Sequence, residues 1–403
     1  MVRFALLSAL VAVNALAFDL RTDSEGDVVK WTHSLELTID ARLADQLGAS
    51  NAIEAVQRAV AHVDEATPGL DVTATIGEAK PIGFTLGASD NTNSILALDE
   101  WPYSERALAV TLVTINARTN ELLDADVAFN VDEHRFKVLS DLPNQGYAFD
   151  DVQNTITHEL GHVLGLMHNS GVQDLVMYPS APPGEILKRQ LKQDDRDGLL
   201  TLYTDPVGPA LQQPLPAQGC SATSSTSPMF AAFGAVMLLL LRRKRTASLQ
   251  LVRAAKVSAV VLAAAVPLTA QAADPKASLE TADDVAIVLV ATRESFVHPQ
   301  KPGLIFTRIT LSAPECAKGS CGTLQTVIVP GGRVGDLEQV VVHEPVPMLG
   351  ERVVVTRKAG VSRVLQLEPV ERASVIQRLR ESISTATAAS PTPGTAQVPA
   401  TTR

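Results

Sequence analysis

The sequence is poor in cysteine and in aromatic residues, and its charge balance is acidic. Its three cysteines, Cys220, Cys316 and Cys321, lack the repeated CxxC spacing of a structural zinc site. Aromatic residues make up 4% of the chain, so its cores must be built mainly from Val, Leu, Ile and Ala. The formal net charge of -10 argues against nucleic acid as a partner, because a phosphate-binding surface needs clustered Lys and Arg.

The N-terminus, MVRFALLSALVAVNALAFD, has the layout of a secretory signal peptide. Arg3 precedes an apolar run, and small residues stand at Ala15 and Ala17 before Phe18. The pattern predicts cleavage after Ala17. The alternative is a buried N-terminal helix.

Two more apolar runs occupy 229–241 and 253–272. The first is shorter than the ~20 residues of a membrane span and ends in the basic cluster Arg242–Arg245, which would stay cytoplasmic. The second has the layout of another signal peptide. Two interpretations remain open. Either two neighbouring genes for exported proteins are fused, or one chain forms a helical hairpin with a basic cytoplasmic loop at 242–256.

The length of 403 residues is enough for roughly two or three domains. The landmarks predict these divisions: a signal peptide (1–17), a first globular region (18–205), a Pro/Gln-containing linker (206–218), an anchor segment (219–245), a second signal-like or transmembrane segment (253–272), a small β domain (273–384) and a disordered tail (385–403).

Within the first globular region, apolar periodicity predicts a mixture of strands and helices, hence one α/β or α+β domain. The predicted elements are a strand at Leu35–Asp40, a helix at Asn51–Ala66, strands at Ala107–Ile115 and Leu122–Phe129 joined by a turn at Thr119–Asn120, a helix from about Asp151, and a last helix DDRDGLLTLY with Asp194 as its N-cap.

The stretch HELGHVLGLMH carries the chemistry. On a helix, His158 and His162 lie on one face, one turn apart, with Glu159 able to reach a metal-bound water. Gly165 tolerates positive φ, so the chain can double back and bring His168 to the same ion. Three neutral imidazoles and a water form a catalytic zinc site. The alternative, a core helix with hydrogen-bonded histidines, would not need the whole HExxHxxGxxH spacing.

This motif matches the zinc signature of the metzincin metalloendopeptidases, and LVMYP resembles their Met-turn, in which Met177 would be structural. Among metzincins the chain most resembles the matrixins, over about Trp31 to Tyr203. The resemblance implies an α+β domain with a twisted, mostly parallel sheet, an antiparallel edge strand and a long active-site helix. The chain departs from animal matrixins in three ways: it has no cysteine-switch propeptide, it lacks the loop that holds a structural zinc, and Asn169 follows the third histidine. It therefore resembles a compact bacterial relative whose latency is unexplained.

The resemblance also implies a reaction. One Zn²⁺ held by His158, His162 and His168 would activate a water, with Glu159 as general base, to hydrolyse a protein or peptide substrate. The substrate would lie along the edge strand, and the segment after the Met-turn would line a pocket; the residues proposed for these contacts are Ala107, Leu108, Ala109, Val110, Tyr178 and Pro179. A structural Ca²⁺ is not readable from the sequence. The alternatives are a zinc-binding peptide-recognition module without turnover, or a protease fused to an accessory binding domain.

Gly219-Cys220, the apolar run and the arginine cluster together resemble the MYXO-CTERM sorting tail of myxobacteria. The resemblance implies processing by a sorting protease at Gly219-Cys220 and an anchor on Cys220. The alternative is a plain membrane stop with an incidental cysteine. Either way we expect an exported protein that is anchored at the cell surface or outer membrane, or is extracellular.

After this tail, short β-branched runs broken by Gly and Pro predict a small all-β domain followed by an amphipathic helix, ERASVIQRLRES. The pattern resembles an uncharacterised exported β domain found beside bacterial matrixins. Cys316 and Cys321 are expected to form a disulfide if exported. No catalytic constellation is visible, so His298 and His343 are interpreted as incidental and the domain is assigned a binding or accessory role.

Overall fold

The computed structural model describes residues 18–23, 25–141, 148–208, 275–344, 346–367 and 369–389. The predicted signal peptide, most of the linker, both later apolar runs with Cys220, and the tail from 390 onward lie outside the described residues. None of the described helices is long and apolar enough to cross a membrane. The predictions that concern export and anchoring therefore stay predictions.

The first region contributes five strands to one sheet, in the order β5–β6–β4–β2–β3. Strands β2, β3, β4 and β6 are parallel, and β5 runs antiparallel to β6, as the resemblance implied. The strands are β2 (Leu35–Asp40), β3 (Val72–Gly77), β4 (Asn93–Leu98), β5 (Ala109–Asn116) and β6 (Glu121–Asn130). Asn120, in the predicted turn between the last two strands, has the positive φ of 56° that a tight turn requires.

The helices of this region are α1 (Leu43–Leu47), α2 (Ala52–Glu65), α3 (Val152–Val163) and α4 (Gln193–Tyr203). Helices α2 and α3 pack against each other, and α3 lies against β5 and β6. The region also contains four two-residue strands: β1 (Asp19–Leu20), β7 (Phe136–Lys137), β8 (Asp150–Asp151) and β9 (Leu166–Met167). The core between sheet and helices is mainly aliphatic, as the scarcity of aromatic residues predicted.

Helix α3 has defined interactions at both ends. At its start the Asp151 carboxylate accepts a hydrogen bond of 2.8 Å from the Asn154 backbone N–H, a standard N-cap. At its end the carbonyl of Val163 accepts from Trp31 Nε1, and that of Leu164 accepts from the Tyr203 hydroxyl, each at 2.8 Å. These buried donors satisfy carbonyls that a helix end leaves without intrahelical partners.

The predicted N-cap of the last helix is wrong. Helix α4 begins at Gln193 with Lys192 as its N-cap, and Asp194 lies in the first turn. The Asp195 carboxylate accepts the Lys192 backbone N–H at 2.9 Å. The helix start is therefore satisfied by the carboxylate of its third residue.

The C-terminal region forms a second, antiparallel sheet in the order β12–β11–β10–β15–β16. Its strands are β10 (Asp284–His298), β11 (Lys301–Lys318), β12 (Thr326–Pro330), β15 (Arg352–Lys358) and β16 (Val361–Val364). The predicted disulfide between Cys316 and Cys321 is confirmed. The all-β expectation is only partly met, because α5 (Pro275–Thr281) and α6 (Pro369–Ala389) flank the strands. Helix α6 includes the predicted ERASVIQRLRES and continues past the boundary placed after Ser384.

Two strands of the C-terminal region join the sheet of the first region instead. Strand β13 (Gly332–Val334) pairs with β14 (Leu337–Val341), and β14 pairs antiparallel with β5. The expectation that β5 is an edge strand is therefore wrong for the whole chain. It is the edge of the first region's own five strands, but the C-terminal region covers it.

Replacing Tyr203 by Phe should lower the free energy of unfolding by about 1–3 kcal/mol, because it leaves the buried Leu164 carbonyl without its donor. Urea unfolding monitored by circular dichroism measures this. Tyr178→Phe is the matched control, since its ring is only half-buried and the change should cost less than about 0.5 kcal/mol. An equal decrease in the free energy of unfolding for the two variants would contradict the role given to the Tyr203 hydroxyl.

Candidate metal centre

The structure brings the three predicted metal ligands together. His158 and His162 lie one turn apart on the buried face of α3, and His168 follows β9 after the chain has reversed at Gly165. Gly165 has a φ of 98°, as its place after the helix predicted. One nitrogen from each of these histidines lies within 4.8 Å of the others, in a cluster that also includes His343.

The hydrogen bonds of the two helical histidines fix where their lone pairs point. His158 Nδ1 lies 2.6 Å from the Val176 carbonyl oxygen, and His162 Nδ1 lies 2.8 Å from that of Leu166. A carbonyl oxygen can only accept, so both Nδ1 atoms carry the proton, and in a neutral ring Nε2 then bears a lone pair. The two Nε2 atoms face each other at 3.2 Å. Two facing lone pairs repel unless a cation lies against both.

A bridging proton is disfavoured here. Burial lowers the pKa of His158 to about 3 and lowers the pKa of His162 well below its usual value. Both rings are therefore neutral imidazoles, the form that binds a metal. Nitrogens bound tetrahedrally at about 2.0 Å from zinc are about 3.3 Å apart, close to the observed Nε2 separation. The donor set thus fits a zinc ion.

Glu159 lies beside these ligands and is held by β5. The Thr111 hydroxyl donates to Glu159 Oε2 at 2.6 Å. The other carboxylate oxygen, Oε1, lies 3.3 Å from His343 Nε2. Glu159 is buried, so these two contacts determine the direction of its carboxylate.

The predicted Met-turn lies under the histidines. The Val176 carbonyl orients His158, and the Met177 carbonyl accepts from the Asn169 backbone N–H at 2.9 Å. A Cβ atom at Gly161 would collide with Met177 Sδ, so the helix and the turn are in direct contact. Met177 is buried beneath α3, a position that fits a structural role.

Asp195 of α4 braces this turn from below. Its carboxylate accepts the backbone N–H groups of Val176 at 3.1 Å and Met177 at 3.3 Å, besides that of Lys192. It therefore acts through the Val176 carbonyl on the orientation of His158. Sequence reasoning missed this residue, because an acid at a helix start is equally well explained as a cap.

The residues predicted to contact a substrate are not part of the histidine cluster. Ala107 and Leu108 precede β5, and their carbonyls accept hydrogen bonds from the Asn130 side chain and backbone. Ala109 and Val110 are buried within β5. Tyr178 and Pro179 are half-buried after the Met-turn. Their role in substrate binding stays a prediction.

The interpretation of His343 as incidental is wrong. Its ring centroid lies 4.8 Å from that of His168 and 5.1 Å from that of His162, and its nitrogen lies within 4.8 Å of a nitrogen of each of the other three histidines. It is 184 positions from Glu159 in the chain, so no local spacing pattern could have revealed it. His298, interpreted in the same way, lies against Phe306 in the C-terminal sheet.

Comparison with known proteins agrees with this geometry. Residues 30–204 match the family model described as matrixin. Similar stretches occur in metalloendoproteinase 1 of Glycine max (47% identical over 53 residues; 13% of this chain, 17% of the relative) and stromelysin-1 of Mus musculus (41% over 73; 18% and 15%). A third is metalloendoproteinase 1-MMP of Arabidopsis thaliana (40% over 81 residues; 20% of this chain and 20% of the relative). Residues 30–204 are therefore similar to a matrixin domain and are called the metzincin-like domain.

The three similar stretches cover only part of this chain and of each relative. The chain spans between 15% and 20% of the length of these three relatives. The matched region includes the histidine motif, Glu159 and the Met-turn of the metzincin-like domain, whereas the C-terminal region lies outside it.

Replacing Asp195 by Ala should weaken zinc binding by about 10- to 100-fold, because the turn that orients His158 loses its acceptor. Competition with a chromophoric chelator measures the affinity. Asp197→Ala removes an exposed carboxylate from the same helix and should leave the affinity unchanged. An unchanged affinity in Asp195→Ala would contradict the bracing role.

Proposed function

We propose that this chain is a zinc-dependent endopeptidase, with His158, His162 and His168 as zinc ligands and Glu159 as general base. The observation that carries the proposal is the pair of facing Nε2 atoms with a carboxylate beside them. A purely structural zinc site would not need that carboxylate. The matrixin match over residues 30–204 supports the same reaction class.

Zinc, when bound, supplies a water of lowered pKa and polarises the scissile carbonyl. Glu159 takes the proton of the attacking water and passes it to the leaving amine. The Thr111 hydroxyl, at 2.6 Å, holds the carboxylate in place from β5. Thr111 is therefore a positioning residue, since it acts through Glu159.

The substrate would be an extended peptide that adds to β5 by main-chain hydrogen bonds. In support, β5 does accept an antiparallel strand, because β14 pairs with Leu112–Asn116. We assign Ala107, Leu108, Ala109 and Val110 to the continuation of this binding edge. Tyr178 and Pro179 would line the pocket for the side chain after the scissile bond.

We also propose that the chain is exported and that 229–241 with Cys220 anchors it, processed at Gly219-Cys220. The disulfide between Cys316 and Cys321 supports export, since such bonds persist in oxidising compartments.

Glu159→Gln should retain zinc and lose casein cleavage by at least about 100-fold, because the amide cannot take a proton. Zinc content and cleavage are measured on the zinc-loaded full chain. Because His343 Nε2 lies 3.3 Å from Glu159 Oε1, both the Glu159 variant and its control also carry His343→Ala. Glu133→Gln, an exposed change of the same kind, is the control and should cleave at the parent rate.

Equal cleavage by the Glu159 and Glu133 variants would refute the assigned base. Zinc retention with no cleavage by the chain carrying His343→Ala alone, or by its Glu133→Gln control, would refute the endopeptidase and favour a zinc-dependent peptide-recognition module.

A further inference from the structure

The C-terminal region enters the cleft of the metzincin-like domain as an added strand. Leu337 to Val341 pair antiparallel with Asn116 to Leu112, and the Val342 backbone N–H continues the ladder to the Thr111 carbonyl at 2.9 Å. The Ala117 backbone N–H donates to the Asp336 carbonyl at the other end. This is the mode in which a sheet edge binds an extended peptide.

Side chains fix the register of this strand. Val341 is buried in a cluster with Trp101, Tyr103, Val110 and Leu112, all from the metzincin-like domain. Burying such apolar surface is the main source of affinity in protein association.

Gln339 fixes the same strand through its amide. It is buried, donates to Thr114 Oγ1 at 3.2 Å and to the Gly303 carbonyl at 2.7 Å, and accepts from the Ile305 backbone N–H at 2.7 Å. Its amide thus ties β5 to the body of the C-terminal sheet. A one-residue slip would turn both Gln339 and Val341 to the opposite face.

The strand ends at the metal centre. Directly after Val342, His343 places its ring against those of His158 and His168, and its Nε2 lies 3.3 Å from Glu159. Glu344 is buried next to it and accepts the Ser104 backbone N–H. The chain is therefore held on both sides of His343.

We propose that residues 332–344 are an internal inhibitor, in which β14 occupies the peptide-binding edge of β5 and the His343 imidazole takes the metal position required by the reacting water. This inference rests on the proposed function, since it names what blocks that same site. It also assigns the C-terminal domain a role in latency, in a chain with no cysteine before Cys220.

The inhibition is competitive by geometry. A substrate needs the N–H and carbonyl groups of β5 that β14 already uses, and Glu159 cannot serve a water while it faces His343. If the cleft is open in at most about one tenth of the molecules, the apparent affinity for any cleft ligand falls at least about tenfold. Removing either the pairing of β14 with β5 or the His343 imidazole should raise the apparent affinity by at least about tenfold.

The test measures binding of a peptidyl hydroxamate, which needs both the β5 edge and the metal, to the zinc-loaded full chain by isothermal titration calorimetry. His343→Ala removes the imidazole, and Val342→Pro removes the N–H donated to Thr111 while leaving His343. Both should bind at least about tenfold tighter than the parent. His298→Ala, in the same domain but away from the cluster, should bind like the parent.

Cobalt-loaded chains give a second readout that needs no turnover. The visible absorption of the cobalt ion should change between the parent and His343→Ala, because a nitrogen ligand is replaced by water. Identical spectra would overturn the assignment of His343 as a ligand. Equal hydroxamate affinity in the parent and both variants would overturn the inhibitor itself.

Mass spectrometry of the incubated parent chain separates an inhibitor from a substrate. An intact 332–344 segment supports inhibition, and a cut within it would overturn the proposal. Failure of the endopeptidase is distinguishable, because His343→Ala would then bind the hydroxamate tightly and still cleave no casein. Failure of the inhibitor alone would leave a parent chain that cleaves as fast as His343→Ala.

Discussion

The structure depends on one electrostatic constraint: two neutral imidazoles, with both Nδ1 protons given to backbone carbonyls, face each other through their Nε2 lone pairs. Burial keeps protons off these rings, so a metal cation is what makes the arrangement favourable. The carbonyls that set the tautomers come from the Met-turn and from the chain reversal after α3. The Met-turn and this reversal therefore hold the two ring orientations.

Successive hydrogen bonds hold His158 and Glu159 in position. Asp195 holds the Met-turn, the Met-turn holds His158, and Thr111 of β5 holds Glu159. The same strand, β5, pairs with β14 of the C-terminal region, and His343 lies beside the other three histidines two residues after β14. The strand that positions Glu159 is thus also the strand that pairs with β14. Under the two proposals, β5 therefore links substrate access to the position of the general base.

Sequence reasoning located the parts of this site whose signals are local. The spacing of His158, Glu159, His162, Gly165 and His168 follows from one helical turn and one reversal. The strand at Leu35–Asp40 follows from its alternation of apolar and polar residues. It failed where a signal is not local. His343 lies in a β-branched run typical of any strand, and Asp195 differs from an ordinary helix cap only in which backbone N–H groups it accepts. The pairing of β14 with β5 could not be predicted either, because the sequence of β5 does not show whether another strand covers its edge.

The claim that imidazoles hold a zinc ion here is tested most directly by X-ray absorption at the zinc K-edge of the zinc-loaded full chain. We expect a first shell of nitrogen at about 2.0–2.1 Å with the outer-shell scattering of imidazole rings. A shell dominated by sulfur or carboxylate oxygen, or a chain that retains no zinc, would contradict it.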